Sequence, residues 1–371
     1  MGFRKTSLEG LEMNRGFWRG KKVLVTGCTG FKGSWLSLWL QKLEAEVFGY
    51  ALGLPTEPSL FEIAHVGNGM THITGDVRDL EQLKHFIAEL RPEIIIHMAA
   101  QPLVQHSYRN PVETYSTNVM GTVNVLEAVR HSECVRVVVC ITSDKCYENK
   151  EWLWGYREDE RMGGRDPYSS SKGCAELIIS AYRNSFFPLA RHKFHGVSIA
   201  STRAGNVIGG GDWAKDRLIP DIMRSILEKR QVIIRNPISI RPWQHVLEPL
   251  SGYLLLAERL WERGPEFAQA WNFGPNTEEV KTVSWIAEYL TKLWGENTGW
   301  ELDPASHPHE DTYLKLDCSK AKSLLGWSPR LQLPTALDWI IEWYRGWQQD
   351  KDMRVLSVAQ IGRYEQLNHS D

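Results

Sequence analysis

Lys22-Val23-Leu24-Val25-Thr26-Gly27-Cys28-Thr29-Gly30-Phe31-Lys32-Gly33 is the stretch of this 371-residue chain that decides the fold. Its apolar first half predicts a buried strand, and an amphipathic helix is predicted after the glycines, from about Trp35 to Leu43. Glycines between a strand and a helix let the backbone turn tightly and approach a pyrophosphate, while the helix N-terminus supplies oriented N–H groups. The alternative, a glycine-rich turn without a ligand, has the same local pattern. We favour a dinucleotide site, whose candidate residues here are Gly27, Thr29, Gly30, Phe31, Lys32 and Gly33.

Beyond the turn, strand-like runs alternate with helix-period segments, which is typical of a parallel sheet covered on both faces. Further strands are expected at 47–50, 72–74, 94–97, 135–142 and 196–202, with helices between them. We therefore predict an α/β fold, a Rossmann-type doubly wound parallel sheet with a smaller C-terminal substrate-binding lobe. The cofactor-binding domain is predicted to span 14–204 and to return near 245–275, and the lobe takes most of 205–371.

Composition excludes several classes of function. A formal net charge of −2 provides no basic field for nucleic acid, and no apolar run is long enough to cross a membrane, so we expect small-molecule partners. Six cysteines without a Cys-x-x-Cys pair or zinc-ligand spacing favour free thiols. Because the first twenty residues also lack the apolar core of a secretory signal, we expect a cytoplasmic protein.

Two short runs carry the candidate chemistry, Ser143-Asp144-Lys145 and Tyr168-Ser169-Ser170-Ser171-Lys172. A tyrosine and a lysine four residues apart on a helix share one face, where the ammonium is expected to lower the pKa of the phenol toward neutrality. Tyr168 is thus a candidate base, with Lys172 and the Ser143 hydroxyl beside it. The alternative is a half-buried tyrosine and a solvated lysine.

Asp144 and Lys145 add an acid and an amine that simple hydride transfer does not need. Both follow the fifth predicted strand, and the carboxyl ends of parallel strands are where sites form in such sheets. The pair therefore indicates a second proton-transfer reaction on the same substrate, whereas the alternative is a surface ion pair in a loop.

These motifs together resemble those of the nucleotide-sugar 4,6-dehydratases, a family of extended short-chain dehydrogenases/reductases. The resemblance covers about residues 14–349 and is carried by the segments 27–35, 99–108, 143–149, 168–176 and 308–327. Within the family, the Ser-Asp-Lys run resembles the branch that acts on CDP-D-glucose, because relatives acting on dTDP-glucose or GDP-mannose typically have glutamate at the position of Lys145. One departure is Cys28, where such enzymes often have histidine.

The resemblance implies NAD as the cofactor. Asp76 is implied to accept the adenine amino group, and Asn118 to help orient Lys172. Beyond the glycine turn, the cofactor-binding residues that the resemblance implies are Asp76, Val77, Ala99, Ala100, Gln101, Asn118, Tyr168 and Lys172. Tyr50-Ala51-Leu52 ends the second strand without the acidic residue that often binds the adenosine ribose, so this turn alone does not decide between NAD and NADP.

The resemblance also implies a reaction. Tyr168 removes the proton of the glucose 4-hydroxyl during transient oxidation at carbon 4, and Asp144 and Lys145 act as acid and base in the elimination of water across carbons 5 and 6. Asn206 and Arg241 are implied to bind the nucleotide diphosphate of CDP-D-glucose. The candidate substrate-binding residues are Asn206, Leu218, Pro220, Arg241, Gln244 and Tyr313.

Three alternatives stay open at this point. A nucleotide-sugar epimerase would share the cofactor site but would not need Asp144 and Lys145, and a dinucleotide-sensing protein would not need a tuned base. A metal site formed by His307, His309, Glu310 and Asp311 is conceivable, but we expect a pocket-lining loop and no metal. The family further implies a homodimer or homotetramer and a role in deoxysugar synthesis for lipopolysaccharide O-antigen.

Overall fold

The computed structural model describes residues 14–276, 280–295, 299–305 and 313–367. Its centre is a seven-stranded sheet with spatial order β7-β6-β5-β4-β1-β2-β3, in which every neighbouring pair is parallel. The strands are β1 (Lys22–Thr26), β2 (Glu46–Ala51), β3 (Thr71–Thr74), β4 (Ile94–His97), β5 (Val137–Ile141), β6 (Ser198–Ala204) and β7 (Ala270–Phe273). The predicted Rossmann-type parallel sheet is confirmed, and the strand order reverses between β1 and β4.

Helices cover both faces of this sheet. They are α1 (Arg15–Trp18), α2 (Phe31–Lys42), α3 (Leu60–Ile63), α4 (Leu80–Leu90), α5 (Val104–Arg109), α6 (Pro111–Tyr115), α7 (Gly121–Arg130), α8 (Pro167–Ser185), α9 (His192–His195), α10 (Leu218–Leu227), α11 (Leu247–Arg263), α12 (Val283–Trp294), α13 (Leu333–Gln348) and α14 (Met353–Gln366). A π-helical turn, Ser116–Met120, leads into α7. No described helix has both the length and the apolar character needed to cross a membrane.

The alternation of side chains along the strands divides the core into two layers. In β1, Val23 and Val25 pack into one buried cluster, whereas Leu24 packs into the other. Ile95 of β4 and Val138 of β5 join Leu24. Successive residues of a strand point to opposite faces, so an uninterrupted apolar strand is stable only when both faces are covered.

Helix α2 differs from its prediction in two respects. It begins at Phe31, one turn earlier than expected, because Gly33 continues the helix directly out of the glycine turn. The prediction that it is amphipathic is wrong, since Gly33 to Leu40 are all buried. The cause is α14, which covers its outer side: the Trp39 indole and the Lys42 ammonium both contact Glu365 of that helix.

The second half of the chain builds three small two-stranded sheets beside the main one. They pair Val207–Ile208 with Gln244–His245, Ile240–Arg241 with Lys281–Thr282, and Val232–Ile234 with Trp300–Leu302. Between these pieces the chain returns to the main sheet, where β7 pairs with β6. The division into a cofactor domain and a substrate lobe at residue 204 stays a prediction.

Candidate active site

The glycine turn between β1 and α2 packs closely against neighbouring backbone. Gly27 has a φ of +73°, and a Cβ there would lie 2.8 Å from Ala99 Cα. A Cβ on Gly33 would lie 2.1 Å from the Gly27 carbonyl oxygen, so the chain can turn this tightly into α2 only because both residues lack side chains. No side chain caps α2 and no acidic residue occupies its first turn. Its N-terminal N–H groups therefore fit a pyrophosphate such as that of NAD.

Thr26 joins this turn to the loop that follows β4. Its hydroxyl oxygen is 2.7 Å from His97 Nδ1 and accepts hydrogen bonds from the N–H groups of Met98, at 3.1 Å, and Ala99, at 3.2 Å. Ala99 and Ala100 are therefore held against the glycine turn, where small side chains leave room for the cofactor. Thr29 instead uses its hydroxyl to bind the Gly53 carbonyl at 3.2 Å, which fixes the loop after β2.

The predicted adenine contact, Asp76, is already paired. Both of its carboxylate oxygens accept hydrogen bonds from the Arg78 guanidinium, which lowers the pKa of the carboxyl. Val77 next to it is buried, and its side chain would meet a Cβ placed on Gly121 at 2.7 Å. The Tyr50 hydroxyl donates to the Asp76 carbonyl, at 3.0 Å, so this tyrosine shapes the same loop from the end of β2.

Asn118 fastens the loop that contains Gln101. Its side-chain oxygen accepts the Gln101 N–H at 2.8 Å, and its amide donates to the Gln101 carbonyl at 3.0 Å and to Ser171 Oγ at 2.9 Å. The side chain of Asn118 is therefore committed to positioning the loop against α8. Its contact with α8 is with Ser171, next to Lys172, and a role of Asn118 in orienting Lys172 stays a prediction.

A cavity of about 280 Å³ lies at the carboxyl ends of β1, β4, β5 and β6. It brings together residues that are far apart in sequence, from Phe31 and Lys32 of the glycine turn to Val283 of α12. Its charged lining is balanced between the cations Lys32, Lys145, Arg217, Arg235 and Arg241 and the acids Asp144, Asp212, Asp216 and Asp221.

The Ser143-Asp144-Lys145 run forms the floor of this cavity. It leaves β5 as a short 3-10 turn, Asp144–Cys146, whose N-cap is Ser143. Ser143 Oγ accepts the Lys145 N–H at 3.2 Å and donates to Asp144 Oδ1 at 3.0 Å. Asp144 is only 2% exposed, and burial raises the pKa of its carboxyl against the opposing effect of Lys145. Asp144 is therefore held in surroundings that favour the protonated acid.

Asp144 Oδ2 is buried and has no hydrogen-bond partner among the described residues. It lies 2.3 Å from where a Cβ on Gly205 would be, so the turn after β6 can pass over the carboxyl only as glycine. An unpaired buried carboxyl oxygen facing a cavity is costly unless a ligand or a proton satisfies it.

Tyr168 and Lys172 lie in the first two turns of α8 and are both buried. Burial raises the pKa of the Tyr168 phenol to about 12, a hydrogen bond with the Ser143 side chain opposes the rise, and Asp144 adds to it. Burial also lowers the pKa of the Lys172 ammonium to about 8, and its Nζ donates to the Ile141 carbonyl at 3.4 Å. The expectation that the pKa of the phenol lies near neutrality is wrong for the protein alone, because the lost hydration of the buried phenolate outweighs the opposing effect of the Arg217 charge.

Two residues that the sequence did not single out stand beside these groups. Arg217 Nη1 pairs with Asp212 Oδ2 at 3.0 Å, and both line the cavity. Lys32 shares this environment: burial lowers the pKa of its ammonium to about 7, with Lys172 and Arg217 acting in the same direction. The only sequence signal for Asp212 is its position directly after Gly209-Gly210-Gly211.

Four of the six predicted substrate residues, Asn206, Leu218, Pro220 and Arg241, line the cavity. Gln244 does not, because its amide donates to the Gly205 and Phe273 carbonyls at 3.1 and 2.9 Å and so joins the ends of β6 and β7. Tyr313 is also outside the lining and donates its hydroxyl to the Leu153 carbonyl at 3.2 Å. His307, His309, Glu310 and Asp311 lie outside the described residues.

A buried ion pair supports the floor of the site from below. Glu176 and Arg203 are each 4% exposed and are joined at 2.8 Å, and the Arg203 charge keeps the pKa of the Glu176 carboxyl low although burial acts to raise it. Arg203 also donates to the Tyr147 hydroxyl at 2.7 Å, and Glu176 accepts from Thr142 at 2.5 Å. Residues on both sides of Ser143-Asp144-Lys145 are thereby fixed to α8 and β6.

Comparison with known proteins agrees with this architecture. Residues 24–338 match the model of the GDP-mannose 4,6-dehydratase family. A curated CDP-glucose 4,6-dehydratase of Salmonella typhimurium is 60% identical over 352 residues, which cover 95% of this chain and 98% of that protein.

Solved structures of lower identity show the same fold. UDP-glucose 4-epimerase from Thermotoga maritima, with UDP-glucose, superposes with a TM-score of 0.76 at 21% identity and covers 88% of this chain and 99% of its own. dTDP-glucose 4,6-dehydratase from Bacillus anthracis, in complex with NAD, superposes with a TM-score of 0.72 at 23% identity and covers 89% of this chain and 98% of its own.

Proposed function

The chain belongs to the GDP-mannose 4,6-dehydratase family, and we propose that it is a CDP-D-glucose 4,6-dehydratase. The enzyme is NAD-dependent and converts CDP-D-glucose into CDP-4-dehydro-6-deoxy-D-glucose and water. The observation that carries the proposal is the convergence of Tyr168, Asp144 and Lys145 on one cavity, in a chain 60% identical to a curated enzyme of this activity. NAD held at the glycine turn would supply the hydride acceptor for carbon 4 of the sugar and the hydride donor for carbon 6.

Tyr168 acts on the 4-hydroxyl. As a phenolate it accepts the hydroxyl proton, so that the oxygen becomes the carbonyl of a 4-ketone. Ser143 lines the same cavity as Tyr168 and is assigned to hold the same oxygen. Lys172 lies one helical turn further along the same buried face and favours the phenolate through its charge.

Asp144 and Lys145 act after the ketone has formed. The carbonyl acidifies the hydrogen on carbon 5, which Lys145, as a neutral amine, removes, while Asp144 protonates the departing 6-hydroxyl. Burial raises the pKa of Asp144, which suits an acid that must keep its proton until that step. Lys145 then returns its proton to carbon 5.

The nucleotide end of the substrate is assigned to the wall of the cavity that contains Asn206 and Arg241. Arg241 is buried, and guanidinium groups bind diphosphate oxygens in pairs. Asn206 supplies an amide on the same wall, and Leu218 and Pro220 supply apolar surface for the base and the sugar. We assign Arg217, another cation of the cavity lining, to the same end of the substrate.

The direct test is an incubation of the protein with NAD and CDP-glucose, with dTDP-glucose in parallel. A dehydratase forms a product that has lost one water and shows the alkali-induced absorbance of a 4-keto sugar, and it prefers the CDP substrate. A mass-neutral product would instead indicate an epimerase, and no turnover of either sugar would favour a dinucleotide sensor.

Further assignments follow from the family and are also proposals. We propose a cytoplasmic homodimer or homotetramer that supplies deoxysugars for lipopolysaccharide O-antigen. Sedimentation measurements test the assembly, and the sugar composition of the surface polysaccharide in a deletion strain tests the pathway.

A further inference from the structure

Ser239 has an unsatisfied hydroxyl group in the wall of the substrate cavity. The residue lines the cavity and is only 2% exposed, and its Oγ has no hydrogen-bond partner in the described part of the chain. Its backbone carbonyl, in contrast, accepts the Val283 N–H at 3.0 Å. A buried hydroxyl without a partner is unfavourable, and few are found in folded proteins. The hydroxyl of Ser239 is therefore available to a molecule that enters the cavity.

The place of Ser239 is defined by its distance along the chain from Arg241, which is assigned to the diphosphate. Ser239, Arg241 and Trp243 all line the cavity. Such an alternation is expected where one face of an extended chain borders a space, because successive side chains point to opposite faces. Two residues of an extended chain span about 7 Å. Ser239 therefore lies beside the substrate group that is next to the diphosphate.

The reacting end of the cavity lies on the other side of Arg241. A Cβ on Gly205 would lie 2.3 Å from Asp144 Oδ2 and 2.7 Å from Pro242 Cγ, so Asp144 and Pro242 are both packed against this glycine. The chain order Pro242, Arg241, Ser239 thus leads away from the carboxyl that is assigned to water elimination. Ser239 is on the side of Arg241 that faces the nucleoside.

The groups of CDP-D-glucose follow one another in the order glucose, diphosphate, ribose and cytosine. With the glucose at Asp144 and the diphosphate at Arg241, the ribose is the group that reaches Ser239. Ribose presents a 2′- and a 3′-hydroxyl, and each of them can donate or accept a hydrogen bond, as serine can. The chemistry of Ser239 matches that of the group expected beside it.

We propose that Ser239 binds a ribose hydroxyl of the nucleotide sugar and thereby contributes to the affinity for the substrate. The contact satisfies the buried serine oxygen, which the protein alone leaves without a partner. Because it lies on the nucleoside side of the diphosphate, it acts on binding and not on the reacting carbons. The proposal rests on the CDP-glucose function proposed above.

The test measures binding by calorimetry to protein saturated with NAD, with CDP, 2′-deoxy-CDP and 3′-deoxy-CDP as ligands. The wild-type protein should lose roughly tenfold to a hundredfold in affinity for one of the two deoxy ligands, because the serine hydroxyl is then left unpaired. Ser239→Ala should bind CDP more weakly by a similar factor and should not distinguish CDP from that deoxy ligand. This cycle of variant and ligand isolates the contact.

Ser284→Ala is the matched control. The Ser284 hydroxyl oxygen lies 3.0 Å from Thr282 Oγ1, and Ser284 is not among the described residues that line the cavity. This variant should bind all three ligands as the wild type does. In turnover of CDP-glucose, Ser239→Ala should raise KM and leave kcat unchanged, because the lost interaction is the same in the ground state and the transition state.

Two results would overturn the ribose contact. One is that Ser239→Ala binds CDP as the wild type does, or discriminates against the deoxy ligands as strongly. The other is a changed preference between CDP and UDP in Ser239→Ala with no change toward the deoxy ligands, which would place the hydroxyl at the base. A wild-type protein that binds CDP but does not dehydrate CDP-glucose would overturn the proposed reaction instead, and the binding measurements would still decide the role of Ser239.

Discussion

At the level of single residues, burial raises the pKa values of both Tyr168 and Asp144, but only Asp144 has a proposed role that a raised pKa supports. It favours the protonated Asp144 that an acid requires, yet it raises the pKa of Tyr168 to about 12, away from the phenolate. The missing stabilisation must come from positive charge, from Lys172 and from the cationic nicotinamide ring of the bound cofactor. We therefore expect Tyr168 to act as a base only once the cofactor is bound.

Replacing Tyr168 with phenylalanine should abolish both oxidation and dehydration. The variant has no group to take the 4-hydroxyl proton, so we expect turnover to fall by about 10²–10⁴-fold or more. Stopped-flow absorbance of the reduced cofactor measures the oxidation, and absorbance of the 4-keto product measures the dehydration. Tyr289→Phe, which removes a hydroxyl bonded to Asp338 on another helix, is the control. Reduced cofactor formed at the wild-type rate in Tyr168→Phe would contradict the assignment.

Asp144→Asn should separate the two steps. The amide cannot protonate the leaving hydroxyl, so oxidation at carbon 4 continues, reduced cofactor accumulates, and water loss slows by about 10²–10⁴-fold. Lys145→Ala should behave similarly, because the base is lost. Asp212→Asn, which changes another acid of the same cavity, should leave the ratio of the two rates unaltered. Equal loss of both steps in Asp144→Asn would show that this carboxyl serves hydride transfer.

The sequence located four of the five candidate catalytic residues at the cavity, whereas Lys172 is not part of its lining, and the roles of all five stay predictions. Ser143, Asp144, Lys145 and Tyr168 follow strand ends or a helix start and all reach the cavity. The sequence could not show that Gln244 lies outside the cavity. Its amide donates to the carbonyls of Gly205 and Phe273, which come close to it only in the folded chain.

At the level of elements, the β1 to α2 turn is the part whose geometry tolerates the least change. Gly33→Ala should weaken NAD binding strongly and lower stability, because its Cβ would lie 2.1 Å from the Gly27 carbonyl oxygen. Cofactor titration by calorimetry and thermal unfolding measure the two effects. Gly53→Ala is the matched control, since nothing lies within 4 Å of the added Cβ. Unchanged NAD affinity in Gly33→Ala would mean that the cofactor does not depend on this turn.

The positions of strands and helices were predicted well where the apolar pattern of the element itself is enough to identify it. The strand predicted at 94–97 is β4, and α4 lies between it and β3, where a helix was predicted. Helix α2 was wrongly predicted to be amphipathic because α14 covers its outer face. Lys42 of α2 contacts Glu365 of α14, which lies 323 residues later in the chain. Local periodicity contains no information about such a partner.

At the level of the whole molecule, one buried carboxylate joins the C-terminal segment to the core. Glu248 in α11 accepts the N–H groups of Leu331, at 2.6 Å, and Arg330, at 2.9 Å, and the hydroxyl of Tyr364 in α14, at 2.8 Å. Burial raises the pKa of Glu248 to about 7, well above the ordinary value for glutamate. Folding therefore favours the protonated form.

This shift predicts a pH dependence of stability. Because the folded pKa is raised, the contribution of Glu248 is fully present below its unfolded pKa and is lost as pH rises to about 7, a change of about 3 kcal/mol. Glu248→Gln should flatten the fall in the free energy of unfolding over this range, measured by urea denaturation. The exposed Glu89→Gln is the control. An unchanged pH slope in Glu248→Gln would contradict the assignment.

The fate of the hydrogen on carbon 4 tests the central claim most directly. The protein with NAD is given CDP-glucose that carries deuterium at carbon 4, and the product is analysed by mass spectrometry and NMR. The account predicts a product that has lost one water and carries the deuterium in its carbon 6 methyl group. A mass-neutral product that keeps the deuterium at carbon 4 would contradict it.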